Sequence, residues 1–162
     1  MKKLVIFYSL DGSTKFIADI ISEKTGADQL RLKPVKQLDS KKFSKYFWGG
    51  KQVLTKKMPD LLPFDKKPED YDLIFIGTPV WAWTYTPALR SFFKMVKLKN
   101  KKIVLFNCHA GSPGKTLEDM KTAVKENEII DMHEFEEPIK RQEAAREMAE
   151  KWIEEILRKL NV

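Results

Sequence analysis

KLVIFYSLDGSTKFIADII, residues 3–21, changes character twice. An unbroken apolar run over residues 3–8 meets a polar turn. Then Phe16, Ile17, Ile20 and Ile21 return at helical spacing, and Gly26 stands just past them as a stop. Leu, Val, Ile and Phe without polar alternation suit a strand buried on both faces, which is the rule in parallel sheets. The stretch therefore predicts one strand–turn–helix unit, and the rest of the chain repeats it.

Further strands are expected over residues 27–32, 73–77, 103–107 and 128–132. Helices are expected between them. Thr86-Pro87 reads as an N-cap followed by proline at the first helical position, with Leu89, Phe92, Phe93 and Val96 as its buried face. Leu117, Met120 and Val124 mark another helix. Ala145, Met148, Ala149, Trp152, Ile153, Ile156, Leu157 and Leu160 mark the last and longest. Residues 34–71 are the least regular. Phe43, Tyr46, Phe47 and Val53 suit a helix broken near Gly49-Gly50, and Pro59, Pro63 and Pro68 punctuate an irregular approach to the third strand. No repeat or low-complexity linker divides the chain, so residues 1–162 are expected to form one domain.

Strands alternating with helices give an α/β fold. Right-handed crossovers favour a doubly wound, five-stranded parallel sheet of order 2-1-3-4-5, with helices on both faces. Ligands of such sheets bind beyond the carboxyl ends of the strands, beside the β1/β3 switch point. That rule selects three turns before any motif is consulted.

The first turn holds Ser9, Leu10, Asp11, Gly12, Ser13 and Thr14. Gly12 lets successive N–H groups curl inward, and the helix that starts there offers its positive end to an anion. No lysine or arginine lies inside the turn, so it is not a GxxxxGK[ST] loop; it suits a phosphate monoester held without a metal ion. Taken alone it equally fits an ordinary capped turn. The second turn holds Thr78, Pro79, Val80, Trp81, Ala82, Trp83, Thr84 and Tyr85. Its two tryptophans and tyrosine fit a flat aromatic ligand, or a hydrophobic lid packed on the next helix. The third holds Asn107, Cys108, His109, Ala110, Gly111, Ser112, Pro113 and Gly114, a slot of mostly small residues. Cys108 ends a buried strand with no base beside it and is not read as a nucleophile. His109 could touch a ligand rim or be a satisfied surface histidine. A phosphate cradle, an aromatic wall and a narrow slot together describe a mononucleotide with a large ring, namely FMN. A dinucleotide fits worse, because GxGxxG and its downstream acidic residue are absent.

On YSLDGST (residues 8–14), EDYDLIFIGTPVWAWTYTPALRSF (69–92) and KKIVLFNCHAGSPGKTLEDM (101–120), the sequence resembles the short-chain branch of the flavodoxin family. The resemblance implies that Ser9, Gly12, Ser13 and Thr14, with backbone of Leu10 and Asp11, hold the FMN phosphate. It implies that Trp81 stacks on the isoalloxazine, and that Ala82 and Trp83 line the ring edge near N5. Thr78, Pro79 and Val80 belong to the same turn, and Cys108, His109, Ala110 and Gly111 would bracket the ring's other side and its pyrimidine end. Three features depart from the pattern. Asp11 stands where such proteins usually carry Ser or Thr. A carboxylate facing a phosphate at ~4 Å would cost about 4 kcal/mol at an effective dielectric of ~20, so its side chain is expected to face outward or cap the turn. Residues 80–84 contain no glycine, so positive φ at Ala82-Trp83 would cost roughly 1 kcal/mol or more. Finally, the chain is basic, whereas the family is typically acidic.

The resemblance implies an FMN-binding electron-transfer protein, with an FMN-dependent NAD(P)H oxidoreductase acting on quinones or similar acceptors as the alternative. A flavin-free binding module is a third reading, which the three turns argue against. A phosphorelay receiver shares the strand order, but Thr78-Pro79 stands where its acceptor Asp would be. No catalytic side chain and no metal site are expected. The net charge is +7, and residues 1–60 alone carry 13 basic and 6 acidic side chains. That excess is either a lysine-rich solvated shell or a face that steers acidic redox partner proteins. No nucleic-acid module is present, and no run approaches the ~18 apolar residues of a membrane span. The single cysteine fits a reducing compartment, and the N-terminal apolar run reads as a strand rather than a signal peptide, so a cytoplasmic location is expected.

Overall fold

A computed structural model describes residues 1–36 and 58–162. The helix expected around Phe43 to Val53 lies outside the described residues. The elements run β1 (Lys3–Phe7), α1 (Ser13–Thr25), β2 (Asp28–Arg31), β3 (Leu73–Pro79), α2 (Pro87–Met95), β4 (Lys102–His109), α3 (Thr116–Ala123), β5 (Glu128–Glu136) and α4 (Gln142–Lys159). The five strands are parallel and ordered β2-β1-β3-β4-β5, as expected.

Side chains alternate across the strands, so each strand serves two cores. Leu4, Ile6, Ile74, Ile76, Ile103 and Leu105 face α2 and α3, and meet Leu89, Phe92 and Met120. Val5, Phe7, Phe75, Val104 and Phe106 face α1 and α4, and meet Ile17, Ile20, Ile21, Trp152 and Ile153. The continuous apolar runs of β1, β3 and β4 reflect this double burial. The edge strands differ. In β2 only Leu30 is buried, and in β5 only Phe135, because each has a neighbour on one side only.

Three strands run further than their apolar patterns indicated. β3 continues through Thr78 and Pro79, β4 through Cys108 and His109, and β5 to Glu136. The extra residues continue the parallel register, Thr78 beside Asn107 and Pro79 beside Cys108. The sheet thus carries four of the expected ligand residues, Thr78, Pro79, Cys108 and His109, on its own rigid edge. Thr86 does precede α2 with Pro87 at the first helical position, but its hydroxyl makes no cap bond. Instead Thr78 Oγ1 accepts the Thr86 N–H at 3.2 Å and lies 3.3 Å from Thr86 Oγ1, tying the start of α2 to the end of β3.

Candidate functional site

The turn after β1 curls because Gly12 sits at φ 102°, a conformation that side chains with a Cβ rarely adopt. Asp11 closes the turn from within. Its Oδ1 accepts the Ser13 N–H at 2.9 Å, and its Oδ2 accepts the Ser13 hydroxyl at 3.3 Å. This is a capping arrangement: a short acidic side chain satisfies a free N–H of the first helical turn and complements the helix dipole. Ser9 Oγ accepts the Lys15 N–H at 3.2 Å. From β2, Arg31 Nη2 donates to the Ser9 carbonyl at 2.9 Å and holds the turn from its far side. Thr14 is fully buried, and its hydroxyl makes no well-formed hydrogen bond. Its neighbour across the sheet edge is the Cys108 sulfur. Burial pushes the Cys108 thiol well up, and the Thr14 hydroxyl offsets part of that rise. Cys108 therefore stays a neutral thiol at physiological pH and is no nucleophile.

After β3 the chain makes a tight hairpin. Trp81 and Thr84 exchange N–H···O bonds of 2.9 and 3.1 Å, leaving Ala82 and Trp83 as a two-residue loop. Ala82 has φ 48° and Trp83 φ 64°. Both central positions are left-handed, the pattern of a type I′ turn, which normally selects Asn and Gly. Two outside contacts hold the loop. The Trp83 carbonyl accepts the Lys115 N–H at 3.1 Å, and Thr84 Oγ1 donates to Asp119 at 2.6 Å. Gly114 makes the first possible: a Cβ there would lie 2.5 Å from the Trp83 Cβ and carbonyl oxygen. The hairpin turns Trp81 inward, where it is 6% exposed and packs edge-on against Tyr8 at 5.5 Å. Tyr8 itself is pushed up to about 12 by burial, with Arg31 opposing, and so remains a phenol. Trp83 points the other way and is 66% exposed.

A cavity of about 410 Å³ opens at this edge. The β1 turn contributes Leu10, Asp11 and Ser13. The end of β3 contributes Pro79, Val80 and Trp81, and the end of β4 contributes Cys108, His109 and Ala110. The three turns selected in sequence thus converge on one space. Ser9, Gly12, Thr14 and Thr78 belong to these turns but do not themselves line it. Ala82, Trp83 and Gly111 do not line it. A fourth wall went unnoticed in the sequence: Glu137, Ile139 and Lys140, from the turn between β5 and α4. Glu137 stands at φ 42°, and its N–H binds the His109 carbonyl at 2.8 Å, so this turn is fastened to the end of β4. No glycine or recognised motif marks it in the sequence.

The donor set suits a phosphorylated flat ligand. One end offers a glycine-curled helix start whose turn carries the hydroxyls of Ser9, Ser13 and Thr14; Ser13 lines the cavity, and the buried Thr14 hydroxyl, beside the Cys108 sulfur, makes no well-formed hydrogen bond. The other offers an indole wall and the small side chains of Cys108 and Ala110. Among the described residues, no cluster of His, Cys, Asp or Glu could hold a metal ion. No described helix is long and apolar enough to cross a membrane.

A family model described as flavodoxin matches residues 2–156. No curated protein matches the chain. Among solved structures, the chain is similar to a flavoprotein from Lactobacillus acidophilus determined in complex with FMN. Identity is 23% and the TM-score 0.66, covering 86% of this chain and 97% of that one. A protein assigned as a flavoprotein from Bacteroides eggerthii is 22% identical with a TM-score of 0.76, covering 99% and 98%. The two-electron reduced flavodoxin of Megasphaera elsdenii is 15% identical with a TM-score of 0.60, covering 94% and 98%. At these identities the solved structures establish the fold.

Proposed function

The chain belongs to the flavodoxin family, and from that premise we propose that it binds FMN at the carboxyl edge of the sheet and carries electrons between redox partners. The observation that carries the reading is the convergence of the β1 turn, Trp81 and the end of β4 on one cavity of about 410 Å³. That volume lies within the ordinary range for small-ligand sites. The FMN-bound relative supports the choice of cofactor.

FMN would supply the redox chemistry. The protein's residues would bind and orient it. The N–H groups and hydroxyls of residues 9–14 would hold the phosphate, and the Trp81 indole would lie along the ring. Cys108 and Ala110 are small enough to admit the ring closely, and as a neutral thiol Cys108 adds no charge beside it. Tyr8 supports the indole edge-on, so the wall is set before the ligand arrives. No side chain is needed as acid or base. The lone cysteine, buried and reduced, is compatible with a cytoplasmic carrier.

One observation favours a second reading. Trp83 does not close over the cavity, so the described residues leave access for a nicotinamide beside a bound flavin. The protein would then be an NAD(P)H oxidoreductase acting on quinones or similar acceptors. The visible spectrum of purified protein, followed by mixing with NADPH under anaerobic conditions, separates the two. A flavin spectrum that NADPH does not bleach supports the carrier. Rapid bleaching supports the enzyme. A protein that neither retains FMN nor binds it when supplied removes both.

A further inference from the structure

We propose that Lys140, from the turn between β5 and α4, is the cation for the FMN phosphate, and that it exchanges its partner Glu137 for the phosphate when the cofactor binds. The inference rests on the FMN reading above. It begins from an imbalance in the cradle. The β1 turn carries no basic residue, and Asp11, the one charged residue in it, is among the residues lining the cavity that a phosphate dianion must enter. Arg31 reaches the turn but is engaged with the Ser9 carbonyl and does not line the cavity. Lys15 pairs with Asp19 along the outside of α1. Lys140 lines the cavity together with Asp11 and Ser13.

The fold fixes where Lys140 starts and leaves its charged end free. Its turn packs against α1 and α4. The turn is anchored to β4 by the Glu137 N–H to His109 carbonyl bond, and it is closed by the Lys140 N–H on the Glu137 carbonyl at 3.0 Å. The Lys140 side chain, by contrast, is 72% exposed. Among the described residues its carboxylate partner is Glu137, three residues away, and exposed pairs of that kind are weakly held. A phosphate carries more charge than a carboxylate and would sit in the field of the α1 N-terminus, so it competes well for the same ammonium. Glu137 is not abandoned in the exchange. Its carboxyl is held below the usual range first by the Lys140 hydrogen bond, and Arg141 and His109 add to the effect.

The test measures binding of FMN and of riboflavin to full-length apoprotein, as wild type, Lys140→Gln and Glu137→Gln. Both residues are at the surface, and circular dichroism would verify folding. Wild type is expected to prefer FMN strongly. Lys140→Gln should weaken FMN about five- to tenfold and leave riboflavin unchanged, and it should reduce the salt dependence of FMN binding. Glu137→Gln should tighten FMN about twofold or more, an effect absent when Lys140 is also replaced. The rise in apoprotein melting temperature with inorganic phosphate should shrink in Lys140→Gln. If wild type prefers FMN but Lys140→Gln keeps that preference, or weakens both flavins equally, the Lys140 assignment fails and the cradle stands. If wild type binds both flavins equally, the phosphate cradle fails and Lys140 with it.

Discussion

Asp11 presents the sharpest conflict at the scale of single residues, an acid within a turn shaped for an anion. The structure resolves it by chemistry internal to the chain. The carboxylate spends itself on the Ser13 N–H and hydroxyl, so in this arrangement it acts as the helix's own anion. Two consequences follow for Asp11→Ser. The apoprotein should lose about 1 kcal/mol, the usual worth of such a cap, measured by urea denaturation. FMN should bind tighter, but by less than tenfold, because the freed Ser13 donors are only part of the cradle. A gain above a hundredfold in a fluorescence titration would mean that the carboxylate points at the phosphate. Trp81 makes the complementary case. An indole buries ~150–250 Å², and at ~25 cal/mol per Å² one stacked face supplies up to a few kcal/mol. Trp81→Ala should therefore weaken FMN about tenfold or more, and FMN should quench the wild-type indole fluorescence. An unchanged affinity would place the stacking elsewhere.

Among the elements, the hairpin at residues 81–84 is the most strained. Left-handed Ala82 and Trp83 together cost of order 2 kcal/mol or more relative to residues suited to a type I′ turn. The strain is held by the Lys115 N–H, by Asp119 and by the close approach of Gly114. Replacing the pair by Ala82→Asn with Trp83→Gly should raise stability by about 1–2 kcal/mol, read as a higher urea midpoint at unchanged slope. If stability falls instead, the exposed Trp83 makes contacts that outweigh its backbone strain. Gly114→Ala should do the opposite, since its Cβ would collide with Trp83 and push the hairpin off the sheet edge. The same comparison shows what the sequence makes legible. Apolar runs and 3.6-residue stripes located β1, β3, β4 and the four α-helices, because burial leaves little freedom in those positions, whereas the edge strands β2 and β5 carry one buried residue each and showed weaker patterns. The glycine-free loop at residues 80–84 raised the question of positive φ, and the structure supplied the angle. The fourth wall was invisible. Glu137, Ile139 and Lys140 reach the cavity only because β5 runs on to Glu136 and the next turn is fastened to His109. Nothing local in EEPIK, residues 136–140, encodes that distant carbonyl.

For the whole molecule, what matters is where the charge lies relative to the sheet's carboxyl edge. Residues 1–102 carry a net +11, yet the charge is not all available to a partner docking there. Lys102 begins β4, so Lys99 and Lys101 stand at the amino-terminal edge, opposite the cavity. Both are also engaged there, Lys99 with Glu126 at 2.9 Å and Lys101 with the Glu69 carbonyl at 2.6 Å. Lys15 sits in the first turn of α1 beside the cavity wall, paired with Asp19 but nearly half exposed. Lys51 lies outside the described residues. An acidic redox partner approaching the cavity should therefore feel Lys15 at close range. Lys99, across the sheet, is more than the ~10 Å Debye length at ~0.1 M salt away, given the ~3.3 Å rise of each residue along β4. Electron transfer to an acidic partner should slow as salt rises past ~0.1 M, as steered association does. Lys15→Glu should slow it by several-fold at low salt, and Lys99→Glu should leave it unchanged. A rate indifferent to salt would identify the lysines as a solvated shell. A rate that drops equally for both variants would mean that total charge steers the encounter, whatever its position on the sheet.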